Sequence, residues 1–330
     1  MIETFSDYIQ KRYLPQELEF LNATKKSLSD DLSAIKKYLL NEWRKAIGDA
    51  CKVQLCEKIP CAYMSVSLLN TSIIDDKPVL QIDFYDNRWV YGESFSRGRL
   101  NADFLFGYWK EFTVAALDEK FFVRSKISQV EIKSLFWSTI DKVIFLFTCF
   151  AKYFAAELKT SDEFNTLAKA EKFYMTCGTY LDWQNRLCAV LPEIDLFNPD
   201  ANEDTTFRDF HGKIFRQETF GDLNLRGCRF EDCLFHDCKF QNLNLADANF
   251  LHCRFVSSHF DAVKLAGANL AECLFRDCSF KNSSSNPKLV DADEYFMPLQ
   301  INHCKIFRVD FDGCDFSQMI KTNCCEESNS

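Results

Sequence analysis

The fold is decided by residues 221 to 270, GDLNLRGCRF EDCLFHDCKF QNLNLADANF LHCRFVSSHF DAVKLAGANL. Every fifth residue here is Phe or Leu, and the rule extends outward on both sides: Phe210, Phe215, Phe220, Leu225, Phe230, Phe235, Phe240, Leu245, Phe250, Phe255, Phe260, Leu265, Leu270, Phe275 and Phe280. A period of five fits neither a helix at 3.6 nor a flat strand at 2, so each pentapeptide is expected to form one side of a coil. Sorting the central residues by twenties gives columns of nearly pure type. One is Phe215, Phe235, Phe255, Phe275; a second is Phe220, Phe240, Phe260, Phe280; a third is Leu225, Leu245, Leu265; the fourth is Phe210, Phe230, Phe250, Leu270. Like side chains recurring at twenty predict four pentapeptides per turn, hence a four-sided coil.

Side chains alternate across an extended backbone, so the residue two before each centre must also point inward. Those positions are small: Cys233, Cys253 and Cys273 in one column, Cys238, Ser258 and Cys278 in another, Cys228, Ala248 and Ala268 in a third, with Leu223, Leu243 and Val263 in the fourth. An interior filled by rings leaves little further volume. Arg208, Lys213 and Glu218 break the rule in the first coil, which predicts an open end covered by the preceding domain.

After Phe280 a polar stretch, Lys281-Asn-Ser-Ser-Ser-Asn-Pro287, leads into the acidic and aromatic run ending Tyr295-Phe296-Met297. The small-x-large pattern then resumes with Leu299/Ile301, Cys304/Ile306, Val309/Phe311 and Cys314/Phe316. The expectation is an inserted loop over 281–298, with Ile301 returning on the column of Leu225, Leu245 and Leu265, a coil ending near residue 318, and a flexible tail over 319–330 with Cys324 and Cys325 exposed. The segment 206–318 resembles the pentapeptide-repeat family, whose units run small, polar, Leu or Phe, then two variable residues. Ala248-Asn249-Phe250 and Ala268-Asn269-Leu270 match it best. The resemblance implies a right-handed quadrilateral β-helix; its handedness is implied by the family and not read from the columns.

Residues 1–200 show no repeat and read as a mixed α/β domain, helix-rich with a small antiparallel sheet. A helical pattern runs from Gln16 to Asp49 with a break near Ser29-Asp30. Strands are expected over Ala62–Leu69, Val79–Tyr85 and Trp89–Ser94 as a meander, then helices over Ala102–Leu117, Gln129–Leu158, Ser161–Met175 and Tyr180–Leu191. Pro192–Asp204 reads as the linker.

Composition sets the remaining bounds. A formal charge of −9 disfavours attraction to phosphate backbones, so no direct nucleic-acid binding is expected. The start lacks a secretory pattern, and the apolar run Val143–Ala156 contains Lys152 and is short for a bilayer, so the expectation is a chain with no transmembrane segment, cytoplasmic or delivered into a host cell. Sixteen cysteines, many at repeat positions, are expected reduced and buried. The count of 33 Phe against 11 Tyr is what a ring-filled interior requires.

Chemistry is sparse. No histidine precedes residue 211, and no P-loop, G-x-G-x-x-G or G-x-S-x-G occurs, so neither catalytic residues nor a cofactor is assigned. Cys51, Cys56 and Cys61 lack the close pairing of a metal site. Arg88, Arg97 and Arg99 with Trp89, Tyr91 and Phe95 could hold an anion, although a solvated strand edge is the simpler reading. His211, His236, His252, His259 and His303 are expected as isolated exposed residues that do not gather on one wall, so no metal is assigned. These observations predict a non-catalytic protein–protein interaction scaffold, with Tyr295, Phe296 and Met297 as its candidate partner-binding loop and a layout similar to bacterial effectors or adaptors of the class. One alternative is a DNA-mimicking protein that protects topoisomerases, disfavoured because residues 206–280 carry ten acidic and nine basic side chains. A second is an enzyme whose active site lies in residues 1–200 with the coil as docking arm. The partner's identity and the oligomeric state are not legible.

Overall fold

The computed structural model describes residues 4–117, 127–197, 203–286 and 298–327. Two compact units divide the chain, one formed by Met1–Ala170 with Tyr174–Leu187, the other by Glu171–Phe173 with Cys188–Ser330.

In the first unit the long helical pattern breaks at Asp31, whose backbone leaves helical geometry between the helices Leu14–Asp30 and Leu32–Glu57. The second helix ends at Lys58, which takes left-handed backbone angles. Apolar faces of both helices are buried through Phe20, Leu28, Leu39, Trp43 and Ile47. Phe20 stacks on Phe112 with ring centroids 4.9 Å apart, and Tyr13 meets the same ring edge-on. The helix Gln129–Leu158 starts on a capping box, Ser128 and Glu131 each satisfying a backbone N–H of the other. At 30 residues it is longer than the apolar run seen in the sequence, and by length and composition it could cross a membrane. Most of its apolar stretch, including Phe147, Phe150 and Phe154, is buried inside the unit, as in a core helix.

Five strands form one sheet: β1 (Cys61–Leu68), β2 (Val79–Tyr85), β3 (Ser96–Asn101), β4 (Lys169–Thr179) and β5 (Gln184–Val190), in the order β3-β2-β1-β4-β5. β1–β2 and β2–β3 are antiparallel, as a meander requires, but β1 and β4 are parallel, so the sheet is mixed. Three expectations fail here. Trp89–Ser94 is not a strand: Trp89–Tyr91 is a single tight turn with Trp89 at φ +49, and the third strand starts at Ser96. The helices expected over Ser161–Met175 and Tyr180–Leu191 are a five-residue helix, Asp162–Thr166, and then β4 and β5. The charged start of β4, Lys169-Ala-Glu-Lys, reads as helical, yet Met175 and Cys177 bury with a period of two and decide the strand. Gly178 allows the chain to fold closely there, because a Cβ would lie 2.1 Å from the carbonyl oxygen of Trp183.

The second unit is the coil. Three of its sides are parallel ladders of three-residue strands, six, five and six strands long, and the fourth is a line of single bridges, Asn224–Asn244–Lys264–Ser284–Asp315. Register confirms the spacing of twenty: Phe235 pairs with Phe215 and Phe255, and Phe240 with Phe220 and Phe260. Corners form two residues after each centre, where the backbone is left-handed at Asp232, Asp237, Asn242 and their repeats. Left-handed angles are costly for most L-residues and cheapest for Gly, Asn and Asp, which is why those types recur there. Gly227 has no alternative, since its φ is +67 and a Cβ would meet the Phe207 ring at 2.5 Å.

Inside, rings stack face to face along each side, with Phe215, Phe235, Phe255 and Phe275 separated by 5.0, 4.8 and 4.7 Å. Neighbouring sides meet edge to face, as Phe235 does with Phe240 at 5.5 Å and 60°. The coil's rise sets the first spacing and the quadrupole of the rings favours the second. The cysteines add a function that their size alone did not suggest. Cys233, Cys253, Cys273, Cys304 and Cys324 donate their thiols to the carbonyl oxygens of Phe210, Phe230, Phe250, Leu270 and Ile301, each one coil earlier. On the next corner Ser258 makes the same bond to Phe235 that Cys238 makes to Phe215, so Cys and Ser serve alike there.

The ends differ from expectation. Arg208 is buried because its guanidinium donates to the carbonyls of Pro192 and Asp204, and Lys213 pairs with Glu193. Leu196 joins the coil core while Phe197 packs on Phe215 and Phe220. The described part of the segment read as a linker, residues 192–197 with Asp204, therefore caps the first coil. At the insertion, Ser283 and Ser285 still occupy inward positions, and Ser284 bridges Lys264 and Asp315. Ser285 thus fills the column of Leu225, Leu245 and Leu265, and Ile301 pairs with Leu270, on the column of Phe210, Phe230 and Phe250. The insertion starts later than residue 281. Beyond residue 318, where a flexible tail was expected, Ile320–Thr322 and Cys325–Glu327 add two further strands.

Candidate functional sites of the coil

Since the interior is filled, chemistry on the coil must lie on its corners, walls and ends. Beside the thiol column, on the outside of the same corner, the left-handed positions carry Asp232, His252, Glu272 and His303. Gly212 starts this line, and His211 stands one residue before it, at the end of a strand. Its Nδ1 lies 3.7 Å from a Glu231 oxygen and 3.9 Å from Asp232 Oδ2. His252 follows one coil on, with Nδ1 3.6 Å from Asp232 Oδ1 and Nε2 3.5 Å from Glu272. Three of the five histidines thus share one corner, contrary to the expectation that they are isolated. The turn period of the left-handed positions brings His252 and His303 together, whereas His211 reaches the corner from the strand before it. Of the other two, His236 contacts Asp237 at 2.9 Å and His259 contacts Ser279 at 2.8 Å, each on a different corner or side.

The C-terminal end of the coil is a second feature. Two inward columns close there on charge, Lys321 and Glu326 pairing at 2.6 Å. The other two end on Phe311 and Phe316, which meet edge-on at 5.8 Å. Phe311 remains 51% exposed, and with Ile306, Val309, Met319 and Phe280 it lines an apolar mouth.

Residues 228–290 match the family model described as pentapeptide repeat region. The coil is a pentapeptide-repeat tract. Comparison with curated protein sequences found no match. Among solved structures the pentapeptide coil is similar to the pentapeptide repeat protein Rfr23 of the cyanobacterium Cyanothece 51142, at 9% identity and a TM-score of 0.21, covering 37% of this chain and 86% of that one. It is similar also to QnrB1, a plasmid-mediated fluoroquinolone resistance protein, at 22% identity and a TM-score of 0.22, covering 35% of this chain and 54% of that one. HetL of Nostoc sp. strain PCC 7120, involved in heterocyst differentiation regulation, gives 11% identity and a TM-score of 0.12, covering 33% and 48%.

Tyr295, Phe296 and Met297 lie outside the described residues. The ladder residues Phe220, Phe235, Phe240, Phe255, Phe260, Phe275, Phe280, Leu225, Leu245, Leu265, Cys233, Cys253 and Cys273 are buried in the pentapeptide coil, and Phe215 is partly buried against them. All the described cysteines are free thiols. Burial raises Cys228 to about 12 and Cys278 to about 11, so both remain neutral donors. Cys51, Cys56 and Cys61 are respectively half-buried, exposed and buried. Cys324 lies in the coil as the last member of the thiol column, while Cys325 is exposed.

In the first unit the three arginines do not converge on an open anion site. Arg88 pairs with Asp86 at the surface, Arg97 donates to the fully buried Asp83 at 2.7 Å, and Arg99 donates to Gln81. Trp89 stacks on Tyr63 at 4.9 Å and donates to Ser65.

Proposed function

We propose that the protein is a non-catalytic interaction scaffold of the pentapeptide-repeat class, an adaptor or effector that meets a protein partner through the wall and C-terminal end of its coil and through Tyr295, Phe296 and Met297 of the insertion. The observation that carries this reading is the apolar mouth around Phe311 at one end of a coil whose interior is otherwise filled. A half-exposed ring grouped with Val309, Phe316 and Met319 is the composition of an anchor pocket. The satisfied arginines of the first unit give no support to an active site there. The wall likewise gives none to DNA mimicry, since Arg226–Asp247, Arg229–Glu231 and Arg308–Asp277 pair opposite charges along it.

The test places a photo-crosslinking residue at position 311, and separately at exposed Ile214 near the other end, in the full chain expressed in its native host. A discrete adduct from position 311, lost when Met319 is replaced by Asp, supports the proposal. Equal yields from both positions, or none from either, refute it.

A further inference from the structure

We propose that the corner carrying His211, Glu231, Asp232 and His252 is a binding site for a divalent transition-metal ion of the zinc, cobalt or nickel type, with Asp232 as the ligand shared between coils. The geometry comes first. Ligand atoms of His211, Glu231 and Asp232 all lie within 4.8 Å of one another, and the individual separations are 3.7 and 3.9 Å. These are longer than hydrogen bonds and close to the separation that a cation imposes: donors about 2.0–2.2 Å from a tetrahedral centre lie roughly 3.3–3.6 Å apart. His252 approaches the other oxygen of the same Asp232 carboxylate at 3.6 Å, which offers a second imidazole.

The donor set then selects the ion. The converging donors are one imidazole and two carboxylates, with His252 on the far oxygen of Asp232, and a nitrogen donor among them suits zinc and its neighbours, whereas calcium and magnesium prefer all-oxygen shells. Neighbouring charges place the ion on the line. Around His252, Glu272 and His303 the groove is also lined by Arg254 and Lys305, which repel a cation. At the His211 end the nearest competing cation is Arg229, 3.1 Å from the Glu231 oxygen that His211 faces, set against two carboxylates. The favoured position is therefore between His211 and Asp232. Left-handed backbone preference accounts for Asp and His at single corners, but it does not account for His211, which sits one residue earlier in a strand. An ion held here would tie three successive coils together at the end where the repeat is least regular.

The test titrates cobalt(II) into the full-length protein with exposed Cys56 and Cys325 replaced by Ser. The expected result is one equivalent bound with a visible d–d spectrum and no thiolate charge-transfer band. Asp232→Asn keeps a residue that tolerates left-handed angles and should weaken binding roughly tenfold or more, and His211→Ala and His252→Asn should each weaken it as well. His259→Ala, on another side, should leave binding unchanged. Circular dichroism of each metal-free variant checks folding, and His211→Ala, an exposed change, decides the matter should Asp232→Asn unfold. Affinity equal in His211→Ala and His259→Ala, or a thiolate band, would overturn the assignment.

Discussion

Replacing Phe235 with Ala probes the coil at its most crowded point. The ring is fully buried, stacked between Phe215 at 5.0 Å and Phe255 at 4.8 Å, and met edge-on by Phe220, Phe230 and Phe240 at 5.9, 5.7 and 5.5 Å. Removing a buried Phe costs about 3–5 kcal/mol. The upper half of that range is expected, because each aromatic pair adds about 0.5–1.5 kcal/mol beyond area and two full stacks are lost. The backbone ladders above and below leave the hole little freedom to collapse. Its outward neighbour His236 makes only a half-exposed contact with Asp237, so His236→Ala should cost no more than about 1 kcal/mol. Since two units make a global unfolding curve ambiguous, hydrogen exchange is the right assay. The amides of Leu234, bonded to Lys213, and of Arg254, bonded to Cys233, report the coils on either side. In Phe235→Ala their opening should become about three to three and a half decades more frequent, and in His236→Ala less than one decade. Equal protection in the two variants would refute the stacked-ring account of the coil.

Cys253 donates to Phe230 from a column where the neighbouring corner accepts Ser, so Cys253→Ser should stay within about 1 kcal/mol of the parent, while Cys253→Val, which overfills the corner and has no donor, should cost about 1–3 kcal/mol; melting with exchange readout in the coil separates them. Because burial raises the thiols of Cys228 and Cys278 above their unfolded value near 8.5, the folded coil keeps protons that the unfolded chain releases. Their contribution is full below about pH 8.5 and is lost as pH rises toward about 11 to 12. Alkaline titration followed by exchange should show the coil weakening in that window, and at pH 8 a thiol reagent should label Cys56 and Cys325 long before Cys228 or Cys278.

The coil was legible because stacking imposes the same environment every twenty residues, so Phe235, Phe255 and Phe275 had to share a type. Where an environment occurs once, the sequence was silent. Arg208 broke the inward rule, but nothing in the pattern showed that the carbonyls of Pro192 and Asp204 satisfy it. The insertion hid the register of Ile301, because Ser283 and Ser285 occupy interior positions while looking like loop. In the first unit β4 was masked by its charged start, and its parallel pairing with β1 spans more than a hundred residues, a contact no local pattern encodes. The histidine corner was only half legible: His252 and His303 follow the turn period of the left-handed positions, but His211 sits one residue off it, in a strand.

The last rungs of the coil bear on assembly. Parallel strands stacked in a column leave an unpaired edge, and an edge of this kind invites another chain to continue the ladder without limit. Here two of the four columns finish on Lys321 and Glu326, which occupy the positions of rings and isoleucines below them. A chain that stacked in register on this end would have to strip water from an ammonium and a carboxylate together, a desolvation that their attraction does not reliably offset. Register stacking on the described rungs is therefore disfavoured at Lys321 and Glu326, while the exposed Phe311 ring carries no such penalty.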